Sequence, residues 1–166
     1  MEEIDWHECY EKLLPKVFHY FWYRVGDRAL AEDLTATTFE KTWKSRDRFR
    51  HDLGKFDYWV LGIARKVAVD YFRKYKATIP LDDPSVISSS HLIEEKFEED
   101  EKVKTLQGQL QRLSPREREL IAYKYGAEFS NRQIAHLTGL TESNVGVILY
   151  RTVERLRGFW KEGQNE

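Results

Sequence analysis

Apolar residues recur along this chain with the period of a helix and rarely with that of a strand. Between Tyr10 and Val25, the residues Leu13, Leu14, Val17, Phe18 and Phe21 fall on one side, and Gly26-Asp27 breaks the pattern. A second helix is predicted over Leu30–Arg46, carrying Leu34, Phe39 and Trp43. A charged loop, Asp47–Lys55, with Gly54 near its end, leads into a third helix over Phe56–Lys76. Its buried candidates are Trp59, Val60, Ile63, Val67 and Phe72. From Lys76 to about Asp100 the periodicity fails. Pro80, Pro84 and Ser88-Ser89-Ser90 interrupt it, and Glu94–Glu101 is an acidic run. This stretch reads as a linker that merges into another helix near Glu98.

Helix starts are marked most clearly in the last third. Ser114-Pro115-Arg116-Glu117 supplies a capping serine, a proline suited to the first helical position and a glutamate that can close a capping box. Ser130 and Gln133 repeat the signature before Ile134, Ala135 and Leu137. Thr138-Gly139-Leu140 is a tight turn with glycine where the backbone must turn left-handed. Thr141 then caps a final helix that carries Val145, Leu149 and Leu156 inward. Two helices across a glycine turn, the second longer and ending in Arg151, Arg155 and Arg157, form a helix-turn-helix suited to double-stranded DNA. The expected fold is all-α. Two small helical domains, residues 1–76 and 105–166, are joined by a flexible acidic linker, residues 77–104.

Composition narrows the function. The chain has 166 residues, 41% hydrophobic and 33% charged, which excludes a disordered polypeptide. No run of about 18 apolar residues occurs, so no membrane insertion is expected. The acidic start, Met1 to Asp5, lacks a signal segment. The single cysteine, Cys9, leaves no intramolecular disulfide and fits a reducing cytoplasm. Net charge is −1, but it is uneven: +2 over residues 1–76, −5 over 77–105 and +2 over 106–166. Neither basic block can hold DNA tightly by phosphate neutralisation alone, so DNA binding here implies help from a partner. His7, His19, His51, His91 and His136 are scattered, with no zinc-site spacing. No nucleophile–base pair, phosphate loop or carboxylate constellation emerges either, so no metal, no cofactor and no enzymatic activity are expected.

Three stretches carry a family resemblance. The run from Ala31-Glu32-Asp33-Leu34 through Phe39 to Trp43 resembles a helix of the bacterial sigma-70 family, in its extracytoplasmic-function (ECF) branch. Phe56 to Tyr71, with Trp59, Ile63-Ala64-Arg65 and Asp70, is similar to the family's next motif. Leu113 to Trp160, opening Leu113-Ser114-Pro115-Arg116-Glu117-Arg118, resembles its region-four DNA reader. Together they cover roughly residues 10–76 and 105–160, in family order.

The resemblance implies a transcription initiation factor. Its first domain would dock on core RNA polymerase and read the −10 promoter element, its second would read the −35 element, and an anti-sigma factor would hold it inactive. Asp33, Ala36, Thr37 and Glu40 correspond to the polymerase-docking face, although relatives carry Gln and an acid where Ala36 and Thr37 stand. A merely solvated face is the alternative. Arg48, Phe49, Lys55, Arg65 and Lys66 correspond to −10 contacts, in and after a loop where the family holds a flipped base. Phe49 and Phe56 are offered for stacking, with core anchoring as the alternative. Lys66 replaces an Asn common in relatives; it can donate to guanine but cannot pair two-way with adenine. Gly62-Ile63 stand where housekeeping relatives carry two tryptophans.

For the −35 element the family positions map onto Gly146, Val147, Tyr150 and Arg151. Ser143 and Asn144 face outward by spacing, and Arg132 is placed for phosphate. Gly146, which stands where relatives carry a cation, costs about 1 kcal/mol in a helix relative to alanine. It either lets the backbone approach DNA or is simply tolerated. Arg155 and Arg157 read as charges favouring the helix dipole. Asp82, Asp83 and Glu94–Glu101 are either a solvated tether or a mimic of RNA phosphates inside polymerase. Two rivals remain at this point: a stand-alone DNA-binding regulator and a helical adaptor that never touches DNA.

Overall fold

The computed structural model describes residues 3–53, 55–78 and 101–165, and among these it contains seven α-helices and no strand. They are α1 (Trp6–Val25), α2 (Arg28–Lys44), α3 (Phe56–Thr78), α4 (Glu101–Leu110), α5 (Pro115–Ile121), α6 (Asn131–Thr138) and α7 (Glu142–Gln164). Two short 3-10 turns, Arg46–Arg48 and His51–Leu53, lie between α2 and α3, and a π-helical turn, Ala122–Gly126, extends α5. Asp82, Asp83 and most of the acidic run lie outside the described residues.

The helix boundaries follow from capping. Helix α1 starts four residues before the apolar pattern does, because the Asp5 carboxylate accepts from the backbone N–H of His7 and Glu8 at 3.0 and 3.2 Å. It ends at Gly26, and Asp27 then caps α2 by accepting from Leu30 N–H at 2.9 Å. Ser114 with Glu117 and Ser130 with Gln133 form two complete capping boxes, as the sequence predicted. The predicted tight turn is present as well, with Gly139 at φ 78°.

Helix α2 shows a face that hydrophobicity alone hides. Its buried residues are Ala31, Leu34, Thr35, Thr38 and Thr42. Each of these threonine hydroxyls donates to the carbonyl one turn back: Thr35 to Ala31, Thr38 to Leu34 and Thr42 to Thr38, at 2.6 to 2.8 Å. Their polarity is thereby satisfied within the helix, and their methyl groups are left to pack. Trp43, expected inside, is instead 53% exposed.

Two bundles on a tether were expected, yet the two halves pack together. α1 lies against α2 on one side and against α5 and the π-helical turn on the other, while α3 touches α6. Leu13, Val17, Tyr20 and Phe21 belong to one buried cluster with Leu120, Tyr123 and Phe129. The Tyr20 and Tyr123 rings stack with centroids 4.8 Å apart. Gly126 permits the approach, because a Cβ there would lie 2.8 Å from the His19 carbonyl oxygen and 2.9 Å from Tyr20 N. The Arg118 guanidinium donates to the Tyr23 carbonyl at 2.9 Å. Burial, reinforced by the neighbouring Arg24, lowers its pKa to about 10.

Candidate nucleic-acid interface

The sequence-derived candidates fall on four surfaces. On α2, Asp33, Ala36 and Glu40 are exposed and Thr37 is half-buried. The Thr37 hydroxyl donates to the Asp33 carbonyl at 3.0 Å, and Lys44 pairs with Glu40 at 2.8 Å. The hydrogen bond from Lys44 holds the Glu40 carboxyl below its ordinary pKa. Ala36 lines a groove between α1 and α2, of about 660 Å³, together with Tyr10, Phe18, His19 and Phe39 among others.

The second surface surrounds the turns between α2 and α3. Arg48 and Lys55 are exposed, and Arg50 is paired with Asp52 at 2.7 Å. Phe49 is half-buried in an aromatic cluster, with its ring centroid 5.2 Å from those of both Phe56 and Trp59. Beside this cluster, Trp6, Tyr10, Phe39, Trp43 and Phe56 line an apolar pocket of about 340 Å³. The Arg46 guanidinium sits 4.2 Å from the centroid of the Trp43 ring. Trp6 drew no attention in the sequence. Its place in the pocket depends on Asp5 starting α1 early, and that cap was the available signal.

Arg65 and Lys66 part company on α3. Consecutive helical residues point about 100° apart. Lys66 is exposed, whereas Arg65 turns into the other half of the molecule. Arg65 Nε donates to Glu119 at 2.8 Å, and Nη1 donates to the Leu137 carbonyl at 3.0 Å. Burial works against the charge of Arg65, but Glu119 outweighs it and raises the pKa.

The fourth surface is the helix-turn-helix. Val145, Leu149 and Thr152 of α7 face inward. Ser143, Asn144, Val147, Tyr150 and Arg151 share the exposed side, with Tyr150 71% exposed, and Gly146 is half-buried among them. Arg132 is exposed on α6. Asn131 Nδ2 lies 3.6 Å from where a Cβ on Gly146 would sit, which is an ordinary contact. Glycine is therefore not sterically required there by this fold. Arg155 corrects its expected role: instead of facing the helix dipole, it clasps Glu117 of α5 at 2.6 to 2.7 Å. Arg157 pairs with Glu154 at 2.7 Å. Among the described residues no metal-binding cluster occurs and no helix is long and apolar enough to cross a membrane.

This arrangement has close counterparts. The family model for Sigma-70 region 2 matches residues 9–78, and that for Sigma-70 region 4 matches residues 104–156. This chain belongs to the sigma-70 family, in its ECF branch. As such it is a promoter-specific transcription initiation factor. It is 26% identical to the ECF RNA polymerase sigma factor SigM of Bacillus subtilis, over 96% of this chain and 97% of that protein. It is also 26% identical to the ECF sigma factor BldN of Streptomyces coelicolor, over 89% of this chain and 57% of that protein. Among solved structures, a chain in the co-crystal of the sigma factor RpoE with the anti-sigma factor NepR from Bartonella quintana superposes with a TM-score of 0.73. That match covers 95% of this sigma factor and 97% of the other chain at 21% identity, and it supports the fold.

Proposed function

We propose that this sigma factor divides promoter recognition between its halves. Residues 1–76 dock on core RNA polymerase through Asp33, Ala36, Thr37 and Glu40, and read the −10 element with Arg48, Phe49, Lys55, Arg65 and Lys66. Residues 105–166 read the −35 element. Ser143, Asn144, Val147 and Tyr150 meet base edges, Gly146 brings the backbone near, and Arg132 and Arg151 hold phosphates. Residues 77–104 span the interval. The protein works in the cytoplasm and is held by an anti-sigma partner until required.

The observation that carries this reading is the α7 face. Five positions of a capped helix, Ser143, Asn144, Val147, Tyr150 and Arg151, stand outward with Gly146 half-buried among them, while Val145, Leu149 and Thr152 anchor its other side. A near-neutral protein with so few cations on that face needs polymerase for its affinity. The test is run-off transcription with bacterial core polymerase on genomic fragments from the source organism. Discrete transcripts that require the added protein are expected, with common −35 and −10 sequences upstream. Failure both to transcribe and to co-purify with core polymerase would reject the reading.

A further inference from the structure

Gly146 leaves a gap on α7, and an amide from α6 stands over it. Asn131, the first residue of α6, puts Nδ2 3.6 Å from where a Cβ on Gly146 would lie. Its Oδ1 accepts from Lys124 Nζ at 3.0 Å. Lysine has donors and no acceptor, so this bond settles the direction of the amide: the oxygen faces Lys124 and the NH2 group faces Gly146. Lys124 sits on the π-helical turn, and the left-handed Glu128, at φ 59°, brings the chain back so that α6 starts beside it. Lys124, Asn131, Tyr150 and Arg157, with other residues, line one concave site of about 260 Å³. The amide thus borders the exposed side of α7 at Gly146 and again one turn later at Tyr150.

The donor end of this amide is aimed where the protein gives it nothing to bind. Among the described residues, Nδ2 donates to no acceptor. In a helix-turn-helix the first helix crosses the DNA backbone, so a donor at its first residue meets phosphate rather than a base edge. Cations at this spot are already engaged: Lys124 with the Asn131 oxygen and Arg157 with Glu154. A long side chain at position 146 would start 3.6 Å from Nδ2 and run across it. Glycine there leaves the amide open from outside.

Resting on the promoter-reading function above, we propose that Asn131 holds a phosphate of the −35 element through Nδ2, and that Lys124 is a positioning residue that aims the amide from behind. The amide takes the place of the cation that relatives carry at position 146. A neutral donor displaces no condensed counterion, so the contact adds affinity without adding salt dependence. Lys124 adds none either, because its ammonium faces the amide oxygen and not the duplex.

Variants of the full chain, each assembled with core polymerase, test this on a promoter from the run-off pool. Asn131→Asp keeps the size and the bond to Lys124 but turns the donor into a carboxylate. An acid at the first residue of a helix is well placed, so the fold is retained and the melting temperature should not fall. Its promoter affinity should drop at least about tenfold. Asn131→Ala and Lys124→Met should each lose about tenfold, the size of a hydrogen bond to a charged group. Plots of log affinity against log salt should run parallel to the wild type. The double variant should lose no more than Asn131→Ala alone, and the losses should be equal when single base pairs of the −35 element are changed. An Asn131→Asp holoenzyme with wild-type affinity would overturn the phosphate contact, as would a loss confined to one base pair. A slope shallower by about 0.9 for Lys124→Met, or additive losses in the double variant, would show Lys124 meeting DNA itself and overturn its positioning role. A wild type that gives no transcripts rejects the promoter-reading function as well. One that transcribes beside an equally tight Asn131→Asp form rejects this inference alone.

Discussion

Single residues separate into those committed to the fold and those left for partners. Asp33 is exposed, and its backbone carbonyl accepts from the Thr37 hydroxyl. Reversing its charge disturbs no buried group. Asp33→Arg is therefore expected to keep the wild-type melting temperature within about 1 °C, a surface change of less than about 0.5 kcal/mol. It should still lose most of its pull-down by core polymerase, and full retention by a folded variant would exclude Asp33 from the docking face. Gly146 poses the opposite question. Space for a methyl group exists, since the nearest side-chain atom would be 3.6 Å away. Gly146→Ala should thus stabilise the protein by about 1 kcal/mol, read as a higher denaturant midpoint. If −35 binding falls at the same time, close backbone approach to DNA is the reason glycine stands there. If binding is unchanged, the glycine is a tolerated cost.

At the scale of elements, capping and pairing decide where helices start and how they dock. Glu117 has three tasks: it closes the Ser114 capping box, clasps Arg155 across to α7, and accepts from the Thr152 hydroxyl at 3.3 Å. Burial alone would raise its pKa, but the hydrogen bonds from Arg155 and Ser114 outweigh that and hold it below the ordinary value of 4.5. A carboxylate with a lowered folded-state pKa stabilises fully above its unfolded value, and the contribution fades as pH falls through the folded value. Glu117→Gln should therefore cost about 1 kcal/mol at pH 7. The gap in stability between wild type and variant should close progressively below pH about 4.5. Urea denaturation at pH 7 and pH 3 measures both gaps, and a gap that widens in acid would show that the charge of Glu117 is not what links α5 to α7. The boxes at Ser114 and Ser130 were readable because a cap is local, written within four residues. The Arg155 clasp was not, because its partner lies 38 positions away.

The whole molecule shows the same divide on a larger scale. Its helices, the glycine turn and the exposed side of α7 follow from periodicity and short motifs, and so they were legible. The threonine face of α2 escaped, because buried threonines that bond their own helix look polar in sequence. The contact between the halves escaped for a deeper reason. Glu119 reads as a surface charge on α5 and Arg65 as a DNA contact on α3, and only the fold shows that they face each other. The charge balance is legible again, and it leads to a quantitative expectation. The exposed cations beside the α7 reading face are Arg132 and Arg151, whereas Arg155 and Arg157 are already paired with glutamates. Neutralising about two phosphates gives a slope of about −1.8 for log affinity against log salt. The free sigma factor should therefore bind a −35 duplex weakly, losing about threefold to fourfold for each doubling of salt. Fluorescence anisotropy on a labelled duplex between 50 and 200 mM salt measures that slope. A slope near −6 would mean that many more cations reach the DNA than α6 and α7 present, and would favour a protein that binds promoters by itself. A shallow slope with weak affinity leaves the holding of the duplex to polymerase, and to this chain the choice of where to hold it.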